Sequence, residues 1–205
     1  MKKSVLFLVL IISSFCQAKE LNKIYSLWYD RPAYNRGGDY SKIMSRGYPF
    51  DEDWERWSLP IGNGYMGANI FGRTDVERIQ LSEKTIGNKG CYGAGGLTSF
   101  AEIYLDINHN QTKNYKRELR LNDAVSTVSY NYEGIDYYRE YFANYPNNII
   151  AVKLTANTPG SVSFRLRPVF PYLHPENESK TGRTGSVKAE NNLITMDGNI
   201  QYFNL

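Results

Sequence analysis

Three features of the sequence predict an all-β protein built as an antiparallel sandwich. Short runs alternate apolar and polar residues with period two, turn residues separate them at regular spacing, and no long window after residue 19 keeps a helical period. The composition agrees, with 17 Tyr, 9 Phe and 17 Gly among 205 residues. The hydrophobic fraction of 41% and the charged fraction of 22% belong to a globular chain able to bury a core. A net charge of only +3, with Lys and Arg spread along the chain, gives no electrostatic case for a nucleic-acid partner.

The chain begins with an address. Lys2 and Lys3 precede an apolar run over residues 5–12, and residues 13–18 are mostly small and polar. This is the pattern of a secretory signal peptide, too short for a membrane span, which needs roughly 20 apolar residues. Cleavage after Ala18, with Cys16 at the −3 position, leaves a domain of residues 19–205 and lowers the charge to +1. Export to the periplasm or the medium follows from this reading. A second reading makes Cys16 a lipid-anchored N-terminus, against which stand the bulky Phe15 and the polar Ser13. After cleavage Cys91 stands alone, so no internal disulfide is expected.

Along the remainder, residues 36–55 are polar and glycine-containing and read as a long surface loop. Residues 87–96 hold five glycines and read as a second loop, either mobile or ligand-facing. Residues 101–107 put Ile103, Leu105 and Ile107 on one strand face. Residues 125–132 and 135–142 flank Glu133-Gly134 as an aromatic hairpin. Asn147-Asn148 turns the chain into a strand over 149–156, and Thr158-Pro159-Gly160 turns it into one over 162–166. Residues 193–196 and 200–203 read as strands around Asp197-Gly198. A sandwich ending there has an unpaired edge, which predicts a chain truncated at that side.

Gly62-Asn63-Gly64-Tyr65-Met66-Gly67 fits the G-x-G-x-x-G spacing of dinucleotide sites, but that chemistry needs a strand before it and a helix after it. Leu59-Pro60 precedes it and a glycine-interrupted apolar run follows, so Gly62, Asn63, Gly64 and Gly67 read as a tight structural turn. No cofactor is implied. Asp51, Asp53 and Glu55 lack the glycine and closing Glu of a calcium loop, and His109 and His174 have no metal-ligand spacing, so no metal is expected. Trp28, Trp54 and Trp57 suggest either a sugar-stacking platform or packing in the core or a domain interface. Spacing alone selects no catalytic residue.

Three stretches carry a more specific signal as a set: Leu27-Trp28-Tyr29-Asp30-Arg31-Pro32-Ala33, then Trp57-Ser58-Leu59-Pro60-Ile61-Gly62-Asn63-Gly64-Tyr65-Met66-Gly67-Ala68-Asn69-Ile70-Phe71-Gly72, then Glu77-Arg78-Ile79-Gln80-Leu81-Ser82-Glu83-Lys84-Thr85. Together with Tyr104-Leu105-Asp106, Tyr115-Lys116-Arg117-Glu118-Leu119 and Tyr138-Arg139-Glu140-Tyr141-Phe142-Ala143, they resemble the N-terminal domain of glycoside hydrolase family 95, the α-L-fucosidase family. The resemblance implies a β-super-sandwich that packs in cis on an (α/α)6 catalytic barrel, whose substrate is a fucosylated glycan hydrolysed with inversion. It implies that the catalytic residues lie on the barrel, so none is assigned to this chain, which is expected to be inactive alone. The sequence departs from the family where an L-W-S-G-G-P stretch usually follows the third segment; here it is Ile86-Gly87-Asn88-Lys89-Gly90-Cys91. The rival expectation is a free-standing secreted carbohydrate-binding module.

Overall fold

The computed structural model describes residues 25–34, 39–43, 49–50, 56–89, 95–170 and 184–199. They form two five-stranded antiparallel sheets and two separate hairpins. Sheet one has the order β1 (Ser26–Tyr29), β8 (Lys113–Arg120), β9 (Val125–Tyr132), β10 (Ile135–Asn144), β11 (Ile149–Ala156). Sheet two has the order β12 (Arg165–Val169), β7 (Gly95–Asp106), β6 (Val76–Lys89), β5 (Met66–Ile70), β4 (Leu59–Gly62). The hairpins are β2 (Asp39–Ile43) with β3 (Pro49–Phe50), and β13 (Thr184–Glu190) with β14 (Leu193–Asn199).

Each large sheet is a four-stranded meander completed by a strand from outside it. The strands β4 to β7 run consecutively through sheet two, and the chain returns after β11 to add β12 beside β7. The strands β8 to β11 run through sheet one, and β1, which precedes sheet two, pairs with β8. The chain thus passes between the sheets at both flanks.

Alternation decides which side chains meet in the middle. Leu59, Ile61, Ala68, Ile70 and Ile79 of sheet two pack against Leu119, Val128, Tyr130, Tyr137 and Tyr141 of sheet one as one buried cluster. In β10 the inward residues Tyr137, Arg139 and Tyr141 are buried, while Tyr138 and Phe142 stand half-exposed on the other face. Successive residues on a pleated strand point to opposite sides, so a one-residue slip would bring the exposed set inward.

The β9–β10 hairpin closes at Glu133-Gly134, with Tyr132 opposite Ile135 and both turn residues at positive φ, 51° and 83°. That is the turn whose twist suits two adjacent strands. Four sequence expectations are corrected. Residues 36–55 contain the β2–β3 hairpin rather than loop alone, since Asp39 pairs with Phe50 and Ile43 with Pro49. The described ends of the glycine-rich stretch, residues 87–89 and 95–96, are strand: Gly87 faces Leu97, Asn88 faces Gly96 and Lys89 faces Gly95, so cross-strand pairing there outweighs the weak strand preference of glycine. The strand expected over 162–166 begins only at Arg165 and runs to Val169, in register with β7. Asp197-Gly198 lies inside β14 opposite Ser186 and Gly185, and the turn falls at Asn191-Asn192, where Asn191 takes φ of 54°. Cys91, His174, the 200–203 strand and the acidic residues 51–55 lie outside the described residues. Among the described residues, no helix is long and apolar enough to cross a membrane.

Candidate functional site

Two polar constellations hold the residues that the sequence singled out. One is buried between the sheets, and the other opens to solvent at one end of the sandwich.

The buried one is built from β6, β8 and β10. Glu77 is wholly buried. Its Oε2 accepts from Arg139 Nη1 at 2.7 Å and from the Tyr141 hydroxyl at 3.1 Å, and its Oε1 accepts from the Gly72 amide at 2.8 Å. Arg139 also donates to the Arg73 carbonyl at 2.7 Å. Arg117, fully buried on β8, donates to the carbonyls of Arg31, Trp57 and Phe71, and the Tyr115 hydroxyl donates to the Gly72 carbonyl. Loss of water pushes the Glu77 carboxyl above its usual range, and Arg139 beside it opposes that shift. A charge removed from water without a partner costs several kcal/mol, so these pairings set the position of one sheet over the other. Glu77, Arg117, Arg139 and Tyr141 all come from the stretches that carried the family resemblance. The sequence signal was there; the side chains' convergence was not visible in it.

On the opposite face of sheet two, Arg78 pairs with Glu102 at 2.5 Å, both nearly fully buried, and the Tyr104 hydroxyl donates to the same carboxylate. Against sheet one, His109 of the β7–β8 connection stacks on Tyr132 at 4.2 Å and shares a hydrogen bond of 3.0 Å with the Tyr130 hydroxyl. Burial holds this imidazole below its ordinary value, with Arg139 adding to the shift and Glu133 opposing it. Burial likewise pushes the Tyr130 hydroxyl up to about 12.

The open constellation centres on the β4–β5 turn. Asn63 Oδ1 accepts from the amides of Tyr65 at 2.9 Å and Met66 at 2.7 Å, and the Asn63 amide donates to the Met66 carbonyl at 3.1 Å. Asn63 Nδ2 reaches across to the Asn144 carbonyl at 2.8 Å, tying this turn to the one between β10 and β11. Gly64 takes φ of 83° with open space beside it, while a Cβ on Gly67 would lie 3.1 Å from Ser82 Oγ. The four residues Gly62, Asn63, Gly64 and Gly67 therefore form a strand-to-strand turn, and no helix follows them to meet a phosphate.

Between the two turns lies a cleft of about 340 Å³ lined by Asn63, Gly64, Tyr65, Lys84, Tyr145, Pro146 and Asn148. Lys84 Nζ sits 4.8 Å above the centre of the Tyr65 ring. The Tyr65 hydroxyl is held above its ordinary pKa by its hydrogen bond to Glu83 and by that carboxylate's charge. Glu83 is itself buried and accepts from the Thr85 amide and hydroxyl. Tyr145 is 74% exposed at the tip. None of the lining residues is a carboxylate, so the cleft offers hydrogen bonds and ring surface rather than acid–base chemistry. Among the described residues no three His, Cys, Asp or Glu side chains are grouped to hold a metal.

Two of the three tryptophans are among the described residues. Trp28 is 57% exposed on β1 opposite Glu118, on the outer face of sheet one. Trp57 is half-buried, edge-on to Tyr34 at 4.8 Å, with its carbonyl bound by the inward Arg117. Trp54 lies outside the described residues. Tyr65, Lys84, Tyr145 and Asn148 were missed as site residues because three separate segments contribute them; the only local signal was the turn at Asn147-Asn148.

Comparison with known proteins joins these observations. The chain is 28% identical to "Alpha-L-fucosidase 2" of Arabidopsis thaliana, over an alignment covering 80% of this chain and 24% of that relative. It therefore spans about a quarter of the relative's length. The model of the glycosyl hydrolase family 65 N-terminal domain matches residues 27–88 and 85–202, which takes in both large sheets and the β13–β14 hairpin. With most of its length matched, the chain belongs to the family of glycosyl hydrolase family 65 N-terminal domains.

Proposed function

We propose that this chain is the N-terminal scaffold of an exported α-L-fucosidase-like glycoside hydrolase of the family 95 type, and that it has no hydrolase activity alone. The observation that carries the reading is the alignment itself: 80% of this chain matches 24% of an α-L-fucosidase. The buried chemistry supports it. Three charged residues of the resemblance stretches, Glu77, Arg117 and Arg139, are buried and spent on holding two sheets together.

In this reading a helical barrel supplies the general acid and the base. Inversion requires two carboxyl groups roughly 6.5–9.5 Å apart, with a water between base and sugar. The sandwich gives the barrel a rigid wall and helps shape the cleft. Residues 1–18 direct export and are removed after Ala18.

The test is the reading frame that contains codon 205. It should continue into several hundred residues of mostly helical sequence, and the whole product should release L-fucose from an α-L-fucoside first as the β anomer. A stop directly after Leu205, or first release of the α anomer, contradicts the reading.

A further inference from the structure

The cleft between the β4–β5 and β10–β11 turns has a shape and chemistry that the scaffold reading leaves unused. The geometry points to a glycan subsite: a pyranose unit of a neutral oligosaccharide seats against Tyr145, with Asn148 and Lys84 donating to its hydroxyls.

The cleft is preorganised. Tyr145 stands on a four-residue turn whose backbone is fixed at both ends: Asn144 Oδ1 accepts from the Asn147 amide at 3.0 Å, and the Asn144 carbonyl accepts from Asn63 Nδ2 at 2.8 Å. Pro146 restricts the turn further. A tyrosine held 74% exposed on such a turn contributes little to the core, and it presents ring surface with only two torsions to immobilise. Its neighbour Asn148 adopts φ of 50°, and its Oδ1 receives only a long 3.5 Å contact from Asn63. Its Nδ2 donates in no hydrogen bond among the described residues. Lys84 is exposed beside Tyr65 and makes no ion pair among the described residues.

What the cleft lacks fixes the ligand class. The amides of Tyr65 and Met66 are spent on Asn63 Oδ1, that of Asn63 on the Met66 carbonyl, and that of Lys84 on the Tyr65 carbonyl. The amides of Gly64 and Tyr145 have no acceptor among the described residues, but they lie on two different turns and do not form the run of successive N–H groups that cradles a phosphate or sulfate. With them remain one ammonium, one side-chain amide and an exposed ring, a set suited to a ligand with many hydroxyls and one apolar face. The volume of about 340 Å³ lies at the small end of ligand pockets, which fits one or two sugar units. That the glycan carries fucose rests on the reading above; the cleft's chemistry does not.

The experiment is a calorimetric titration of the mature chain, residues 19–205, with a fucosylated trisaccharide and with its unfucosylated disaccharide core. Tyr145→Ala, Asn148→Ala and Trp28→Ala are compared with the parent. The expected result is saturable binding of at least one probe, with Kd raised at least threefold in both cleft variants and unchanged in Trp28→Ala. Tyr145 lies at an exposed tip and Tyr145→Ala should melt with the parent, whereas Asn148→Ala, at φ of 50°, should melt somewhat lower while staying folded at the titration temperature. In the parent itself the Asn148 side-chain amide resonances should move during the titration, a readout that needs no variant. No saturable binding of either probe, retained affinity in either cleft variant, equal loss in Trp28→Ala, or an unmoved Asn148 amide overturns the subsite. Failure of the complete enzyme to cleave fucosides would instead count against the scaffold reading and leave the titration result standing.

Discussion

Arg139, almost wholly buried, spends its guanidinium on Glu77 and the Arg73 carbonyl. Arg139→Met should therefore cost about 3–5 kcal/mol in urea denaturation, because Glu77 is left as an unmatched buried charge. The variant's loss should depend on pH in a known direction. A carboxyl whose folded pKa is raised binds more protons when folded, so its contribution is fullest below about 4.5 and is lost as pH rises through the folded value. Arg139→Met should thus be less destabilised at pH 5 than at pH 8; equal losses would contradict an ionised, unmatched Glu77. His109 has the opposite sign. Its imidazole is held below 6.5 by burial, so the folded state binds fewer protons. The stability tied to His109 is present above about 6.5 and is lost as pH falls through the folded value. His109→Phe keeps a ring against Tyr132, and the fall in Tm between pH 7.5 and pH 5.5 should be smaller than in the parent. Little of this was legible beforehand: the residue types are in the sequence, but burial and pairing depend on strands far apart in it.

Turns and strands give the next set of expectations. Gly72 and Gly64 both have positive φ, 69° and 83°, yet a Cβ on Gly72 would lie 2.7 Å from the Tyr115 hydroxyl while one on Gly64 meets nothing within 4 Å. Gly64→Ala should cost about 1–2 kcal/mol of left-handed strain. Gly72→Ala should add about 1–3 kcal/mol of overpacking. Equal midpoints in denaturant would show that the Tyr115 contact is not tight. Asn63→Ala removes the acceptor for two amides and the tie to Asn144, with an expected loss of about 1–3 kcal/mol and a weaker cleft. At this scale the sequence was most readable where turn chemistry was local. Glu133-Gly134 marked its hairpin, and the strand after Asn147-Asn148 began where the alternation placed it. It misled where distant pairing overrode local preference. Asp197-Gly198 is the stronger turn signal, but its strand partner holds it straight.

The whole molecule is two meanders that each take a fifth strand from across the sandwich. Alternation and the resemblance stretches announced the sandwich; the exchange of β1 and β12 had no signal of its own in the sequence. That exchange binds the sheets through the backbone, and the Glu77–Arg139 cluster binds them through side chains. Glu77, Arg117 and Arg139 of the resemblance stretches thus have a structural occupation already, and the open cleft between the turns is lined by no carboxylate. The claim that this chain supports glycoside hydrolysis without performing it is tested most directly by incubating purified residues 19–205 with a chromogenic α-L-fucoside. The account predicts no release of the chromophore above a heat-denatured control. Saturable turnover that survives purification would contradict it.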